Sequence, residues 1–397
     1  MTTTVLHPAP SPLSEAGSDR LRLGIVGCGN ISLTYLTLAP LFRGIEVVAC
    51  ADLNPVVAQA RADSFGIKAH SVDDLLADPA IDIVVNLTIP DAHFAVSRAA
   101  LMAGKHVYSE KPLVLSMAEG LELRTLAAER GLRVGCAPDT FLGGSHQYAR
   151  HLIDEGKIGD VVAGGAAVMS HGMEHWHPNP DFFFLPGGGP MLDLGPYYLS
   201  NLINMIGPVR RVAALANAPS PTRTITSEPR NGEVIPVRTP TNIHALLDFA
   251  NGATFTISTS WDVWAHKRAH MELYGSEGSL FLPDPNFFGG AVEQAGRGGA
   301  IQPSAVWDHP FGVPNQTHGE GRQLANYRTA GLADMAAAII DGRPHRCSLD
   351  LALHGIEVMT AILASGETGL FVAMETSCER PEALGPAEAQ ALLLPAA

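Results

Sequence analysis

The chain is short of charge, of cations in particular, and of aromatic rings. Charged residues make up 17% and aromatics 6% of its 397 positions, while 46% are hydrophobic. A coiled coil carries far more charge, and a disordered chain far fewer apolar residues. Lys and Arg total 26 against 40 Asp and Glu, a formal net charge of −14. That balance argues against a nucleic-acid or anionic-membrane surface. The five cysteines (Cys28, Cys50, Cys136, Cys347, Cys378) are scattered and form no Cys-x-x-Cys. They argue against a disulfide framework and a thiolate zinc site, and fit a reducing cytoplasm. No apolar run reaches the roughly 18 residues of a membrane span. The first twenty residues hold three prolines and no apolar stretch. They read as a flexible arm, neither a secretory nor a twin-arginine leader.

What the chain does have is length and alternation. At roughly 100–200 residues per domain, 397 residues give two or three domains with ample core. Apolar runs at 21–26, 45–52, 81–87, 105–109 and 132–136 alternate with helical patterns. The patterns run from the glycines to about Phe42, then over 55–65, 91–103 and 116–130. This alternation implies right-handed crossovers and a parallel, doubly wound sheet, an α/β Rossmann-type domain over 21–140.

The glycines after the first run have a physical task. Gly27 permits the tight turn. Gly29 lets backbone approach a pyrophosphate at the positive end of a helix that opens with Asn30 and Ile31. The third fingerprint position is Ser32, where Gly or Ala is usual. Asp52 stands 25 residues past Gly27, at the end of the second run. There it accepts hydrogen bonds from ribose hydroxyls and repels a 2′-phosphate, so NAD is preferred over NADP. The alternative role for Asp52 is a cap on the helix at Pro55.

Three further stretches carry chemistry. Thr88, Pro90 and His93 leave the third of these runs at the carboxyl edge, where ligands bind. His93 reaches the nicotinamide ribose or is a packed histidine in a first helical turn. Glu110-Lys111-Pro112 leaves the next run. A lysine beside a cationic nicotinamide polarises a substrate hydroxyl, or else it is a surface lysine paired with Glu110. The third stretch is Gly187-Gly188-Gly189, followed by Asp193 and Tyr197. Those two are four apart and share a helical face. Pro196 either bends that helix or marks its first turn. The plain alternative is a capping Asp193 and a packed Tyr197.

In order and spacing these features resemble the glucose–fructose oxidoreductase / inositol dehydrogenase / rhizopine-catabolism (Gfo/Idh/MocA) family, over about 21–380. The resemblance also takes in Gly275-Ser276-Glu277-Gly278-Ser279 and Gly342-Arg343-Pro344. It implies a two-domain NAD(P)-dependent oxidoreductase of sugars and cyclitols, with Lys111 catalytic and Asp193 its substrate-binding partner. The family usually carries His four after that Asp, where this chain has Tyr197. That departure resembles the aldose, xylose and dihydrodiol dehydrogenase branch, in which a tyrosine is proposed as the acid/base; the proton acceptor is then Tyr197, or Lys111 with Tyr197 positioning it. It shifts the expected reaction to oxidation at C1 of an aldose, giving a lactone. A phenol ionises near pH 10 in water, so base work needs a cation beside it. Many members carry Asn and Arg after the sixth strand. Asp139 and Phe141 stand there in this chain, so one substrate contact differs.

Residues 141–380 read as an α+β substrate and oligomerisation domain. A helix over 145–155 leads into alternating segments. Ile243 to Phe249 and Ala253 to Trp261 flank Asn251-Gly252, the signal of a two-residue hairpin. Further segments at 271–274 and 280–282 complete an open-faced, mainly antiparallel sheet. The resemblance implies that this sheet builds a homodimer or homotetramer. Phe255, Ile257 and Trp261 line its buried or subunit face. His171, His175 and His177 have a spacing that could offer metal ligands, but no pattern of outer hydrogen-bonding partners supports a site, so no metal is expected. Trp176 and His177 shape a substrate loop, with 182–184 as its apolar hinge. Residues 283–321 form a long excursion, and 381–397 a solvated tail. The leading reading is an NAD-dependent sugar dehydrogenase. The alternatives are a cyclitol dehydrogenase, an NAD-recycling glycoside lyase, and a non-catalytic dinucleotide-binding regulator.

Overall fold

A computed structural model of the chain describes residues 20–318 and 321–395. The arm read over 1–20 therefore lies outside the described residues, save for Arg20. The first elements are β1 (Leu21–Val26), α1 (Asn30–Leu38), β2 (Ile45–Ala51), α2 (Pro55–Phe65), β3 (Lys68–His70) and α3 (Val72–Ala77). Then come β4 (Ile83–Asn86), α4 (Pro90–Met102), β5 (His106–Ser109), α5 (Met117–Glu129) and β6 (Val134–Cys136). After these follow α6 (Gly144–Asp154), β7 (Val161–Met169), α7 (Pro190–Ile206) and β8 (Val209–Asn217). Strands β9 (Thr222–Thr224), β10 (Val234–Pro236), β11 (Asn242–Phe249), β12 (Thr254–Ser260), β13 (Met271–Gly275) and β14 (Gly278–Leu282) come next. Four short strands follow: β15 (Glu293–Gly296), β16 (Gln302–Pro303), β17 (Gln316–His318) and β18 (Arg322–Leu324). Last are α8 (Ala330–Asp341), α9 (Leu349–Thr368), β19 (Val372–Ala373) and α10 (Pro386–Leu392).

The chain forms two compact units. Among the described residues, one holds 20–137, 328–349 and 392–395. The other holds 138–327 and 350–391.

In the first unit six parallel strands lie in the order β3-β2-β1-β4-β5-β6. Both faces are covered, which is why Ile83, Val84 and Val85 form an unbroken apolar run with no exposure. Strand order reverses between β1 and β4, the switch point where such sheets bind ligands. Side chains start the helices: Asn54 accepts from Val56 N–H at 3.1 Å, and Ser116 and Glu119 form a reciprocal capping box on α5. Strand β3 and helix α3 are additions to the sequence reading. A three-residue, half-exposed strand leaves no hydrophobic pattern to find.

Two late segments return to this unit, which corrects the contiguous 141–380 domain. Cys136 N–H donates to Cys347 O at 3.1 Å, and Gly135 bridges Ser348. A Cβ on Gly135 would meet Met335 Sδ of α8 at 2.8 Å, so the glycine admits the helix. Asp334 of α8 has no exposure and holds Arg346 Nη1 at 2.6 Å and Arg343 Nη2 at 2.9 Å. The solvated tail is also corrected. Leu384 and Ala389 are fully buried, and beyond α10 Leu394 N–H donates to Leu41 O at 2.8 Å.

The second unit is built on a nine-stranded sheet, β16-β15-β14-β13-β7-β12-β11-β8-β19. Only β7 and β12 pair in parallel; the other neighbours are antiparallel. Helix α9 packs on it: Ser365 Oγ accepts Ala214 N–H at 2.9 Å, and His354 Nε2 accepts Val209 N–H at 3.0 Å. Among the described residues α9 is the one helix long and apolar enough to cross a membrane, and half of it is buried in the protein. Its Asp350 and Glu357 interrupt the apolar run. Phe255, Ile257 and Trp261 are fully buried, so they line the core face. The β11–β12 hairpin differs from expectation. Phe249 N–H donates to Ala253 O and Gly252 N–H to Phe249 O, with Gly252 at φ +91°. The loop therefore has three residues, a turn closed by a left-handed glycine.

Candidate active site

In the first unit the carboxyl edge of the sheet gathers the expected cofactor residues. Gly27 has φ +100°, and a Cβ there would stand 2.5 Å from Leu87 O. Only glycine fits. A Cβ on Gly29 would meet nothing within 4 Å. Gly29 is the N-cap of α1, no side chain caps that end, and no acid sits in the first turn. Open space over an uncapped helix start, where Asn30 and Ile31 begin, fits a pyrophosphate.

Asp52 faces this loop. Its Oδ2 accepts Cys28 N–H at 2.8 Å and its Oδ1 accepts Asn54 N–H at 2.9 Å. The cap on α2 is Asn54, so Asp52 is not the helix cap. It ties the end of the second strand to the glycine loop. Arg61 is a residue that sequence reasoning missed. Its Nη2 donates to Cys28 O at 3.1 Å and Gly29 O at 3.4 Å. It sits nine positions past Asp52, on a helix that reads as a solvent face.

At the next edge Thr88 Oγ1 donates to Asn86 Oδ1 at 2.7 Å, and Pro90 opens α4. His93 is buried, with Nδ1 2.6 Å from Pro112 O and Nε2 3.0 Å from Thr88 O. Two backbone turns, rather than a ribose, are what its nitrogens meet. Glu110 is held by Tyr35, whose hydroxyl donates to Oε1 at 2.9 Å, and by Lys111 N–H at 3.1 Å to Oε2. This carboxylate fixes the turn that carries Lys111, which is half-buried and precedes a cis proline. Cys136 lies beside it, and burial pushes its thiol well up, so it is inert.

In the second unit the triple glycine launches α7. Gly189 is the N-cap at φ +91°, and Pro190 opens the helix. Asp193 is therefore not the cap. It sits in the first turn, its N–H bonded to Gly189 O at 3.1 Å. Pro196 lies inside the helix. Gly195 makes room for α9: a Cβ there would stand 3.1 Å from Met359 Sδ. Asp193 and Tyr197 are both half-buried, one helical turn apart. Tyr198 is different. It is fully buried, its hydroxyl 3.0 Å from His270 Nδ1 and 3.4 Å from Asp284 Oδ1. Burial first, and Asp284 second, push its phenol well above the ordinary value.

Asp139 is buried at the start of a 3-10 turn, Thr140–Leu142, and Phe141 within that turn is only 1% exposed. Phe141 is therefore core, a correction to its reading as a substrate residue. Trp176 is exposed, and His177 packs edge-on to Trp176, Phe182 and Phe183. The 182–184 segment is a 3-10 turn rather than a hinge. Among the described residues no group of three or more His, Cys, Asp or Glu side chains is placed to hold a metal ion. His171 instead stacks on Trp264 at 3.2 Å.

Family patterns match both parts of the chain. An oxidoreductase-family NAD-binding Rossmann fold covers 21–137, and a GFO/IDH/MocA C-terminal domain covers 146–281. The chain belongs to the Gfo/Idh/MocA family. It is an oxidoreductase, and its first unit is an NAD-binding domain. An uncharacterised oxidoreductase of Synechocystis is 23% identical over 75% of this chain and 78% of its own length. The dTDP-3,4-didehydro-2,6-dideoxy-α-D-glucose 3-reductase of Streptomyces violaceoruber is 31% identical over 66% of this chain and 72% of its own. The chain spans only about half, 53%, of the 1,5-anhydro-D-fructose reductase of Ensifer adhaerens, at 30% identity over 44% of this chain. Among solved structures, an NAD-binding oxidoreductase from Klebsiella pneumoniae superposes at TM-score 0.77, with 22% identity over 90% of this chain and 99% of that one. A levoglucosan dehydrogenase in complex with NADH and L-sorbose superposes at 0.75, with 21% identity and the same coverage. At that identity the superpositions speak for the fold alone.

Proposed function

We propose that this family member is an NAD-dependent dehydrogenase that oxidises a sugar hydroxyl, at C1 of an aldose, to a lactone. The observation that carries this reading is α7. It presents an acid and a phenol one turn apart while the neighbouring phenol, Tyr198, is turned inward and hydrogen-bonded. The first unit fits the cofactor: Gly29 leaves an open cradle, the start of α1 is uncapped, and Asp52 holds a carboxylate at the end of β2. NAD, when bound there, supplies the hydride acceptor.

The chain's own residues do the rest. Asp193 accepts a hydrogen bond from a sugar hydroxyl and orients the ring. Tyr197 Oη takes the proton of the reacting hydroxyl as general base. Lys111, on the first unit, is the cation that this reading assigns to stabilising developing negative charge. Glu110, held by Tyr35, keeps the Lys111 turn in place. The open face of the second unit's sheet carries Leu215 and Leu246, 76% and 54% exposed, and pairs with a second copy in this reading.

Deuterium tests the position of attack. An aldose deuterated at C1 is expected to pass its label to NAD, with a lactone as product. Unlabelled NADH, or a keto sugar, contradicts oxidation at C1.

A further inference from the structure

The loop before α7 holds two large rings in solvent. Trp176 is 57% and Phe182 56% exposed. Single exposed apolar side chains are ordinary. These two are joined through His177, with ring centroids 5.3 Å (Trp176–His177) and 5.5 Å (His177–Phe182) apart, and Phe182 lies 4.0 Å from Phe183. The cluster is held firmly. Ser227 Oγ donates to His177 O at 2.6 Å, and Asn179 N–H donates to His177 Nδ1 at 3.1 Å. Asp181 pairs with Arg230 at the start of the 3-10 turn, and Phe183 packs inward, edge-on to the buried Trp261. The segment that carries the two exposed rings is thereby held, which lowers the cost of ordering it around a ligand.

The same loop is fastened to the start of α7. Gly189 N–H donates to Phe183 O at 2.8 Å, and a Cβ on Gly188 would stand 2.5 Å from Phe182 O. One glycine run therefore sets both the rings and Asp193, whose N–H bonds back to Gly189 O at 3.1 Å. An aromatic face is apolar and electron-rich. It matches the C–H face of a pyranose and leaves the hydroxyls at the rim. The polar edge of His177 and the exposed His175 beside Trp176 suit that rim.

We infer that the exposed rings of Trp176 and Phe182, with the edge of His177 between them, form an aromatic platform for a second sugar ring, so the substrate class is a reducing disaccharide or longer oligosaccharide. The inference rests on the sugar-dehydrogenase reading above. The ring being oxidised lies at Asp193 and Tyr197, and the next ring lies on the platform.

Steady-state kinetics of the full-length protein with NAD test it. Cellobiose, maltose, lactose and xylobiose are compared with glucose, galactose and xylose. At least one disaccharide is expected to exceed its parent aldose in kcat/KM by roughly 3- to 10-fold, mostly through KM. Trp176→Ala and Phe182→Ala bring that ratio to about one, and Trp176→Phe keeps it. A ratio at or below one for every disaccharide overturns the inference, as does a preference that survives both alanine variants. If no sugar reduces NAD, the dehydrogenase reading fails, and tryptophan fluorescence decides the platform separately. Saturable quenching by a disaccharide, lost in Trp176→Ala, supports it, and no quenching overturns it. A change of oligomeric state in Trp176→Ala also overturns it, because the patch is then a contact between copies.

Discussion

One step of a helix turns two consecutive tyrosines to different faces. Each residue turns the helix by about 100°. Tyr197 therefore stays on the face of Asp193, while Tyr198 points to the core and to His270 and Asp284. A phenol that is buried and next to a carboxylate is a poor base. Replacing Tyr197 by Phe is expected to lower kcat by roughly 10²–10⁴ while leaving NAD affinity near that of the parent. Steady-state kinetics and calorimetry read the two effects, and a loss of only a few-fold returns the base role to Lys111. The shared face of Asp193 and Tyr197 was legible in the sequence because the two stand four apart behind a triple glycine. Gly27 and Asp52 were legible because a strand, a turn and a helix surround them. Arg61 was not, because its contacts with the glycine loop depend on how α2 packs back. Phe141 misled, and His93 stayed open between two readings, for a related reason: a polar or aromatic residue at a sheet edge carries no sign of which way it points.

At the scale of elements, Asp334 is the clearest case of a late segment made part of an early domain. It has no exposure, and two guanidinium groups and the Arg346 N–H converge on it, the last at 2.7 Å. Removing one partner of a buried pair leaves the others desolvated and uncompensated. Asp334→Ala is expected to cost about 3–5 kcal/mol in a urea unfolding experiment. A change below about 1 kcal/mol contradicts the role given to this cluster. The sequence gives no hint of this return, because Asp334 sits in an alanine-rich helix whose partner strand lies some 200 residues earlier. The long strands and helices of the first domain were legible from their apolar runs and caps. The three-residue β3, the short α10 and the third residue of the β11–β12 loop were not. Short elements depend on neighbours more than on local pattern.

At the scale of the molecule, burial of histidines sets a pH window. Burial lowers His106, His146 and His309 to about 4. His146 donates from Nε2 to Phe287 O at 2.8 Å and has no partner at Nδ1 among the described residues. His309 accepts Phe311 N–H at Nδ1, so a second proton would break that bond. Between about pH 6.5 and 4 the unfolded chain binds protons that the folded chain refuses. Stability is therefore full above about 6.5 and falls as pH drops toward 4, by on the order of 3 kcal/mol for each histidine at most. Thermal unfolding followed from pH 7.5 to 4.5 checks this, and a flat melting temperature contradicts it.

The most direct test of the central claim is NAD reduction by purified protein and its Lys111→Ala variant, side by side, over aldoses and inositols. Reduction with an aldose is expected, faster with NAD than with NADP. Loss of that turnover is expected in Lys111→Ala, with NAD binding retained by calorimetry. Silence across the panel despite tight NAD binding, or a variant that keeps most of the rate, contradicts that claim.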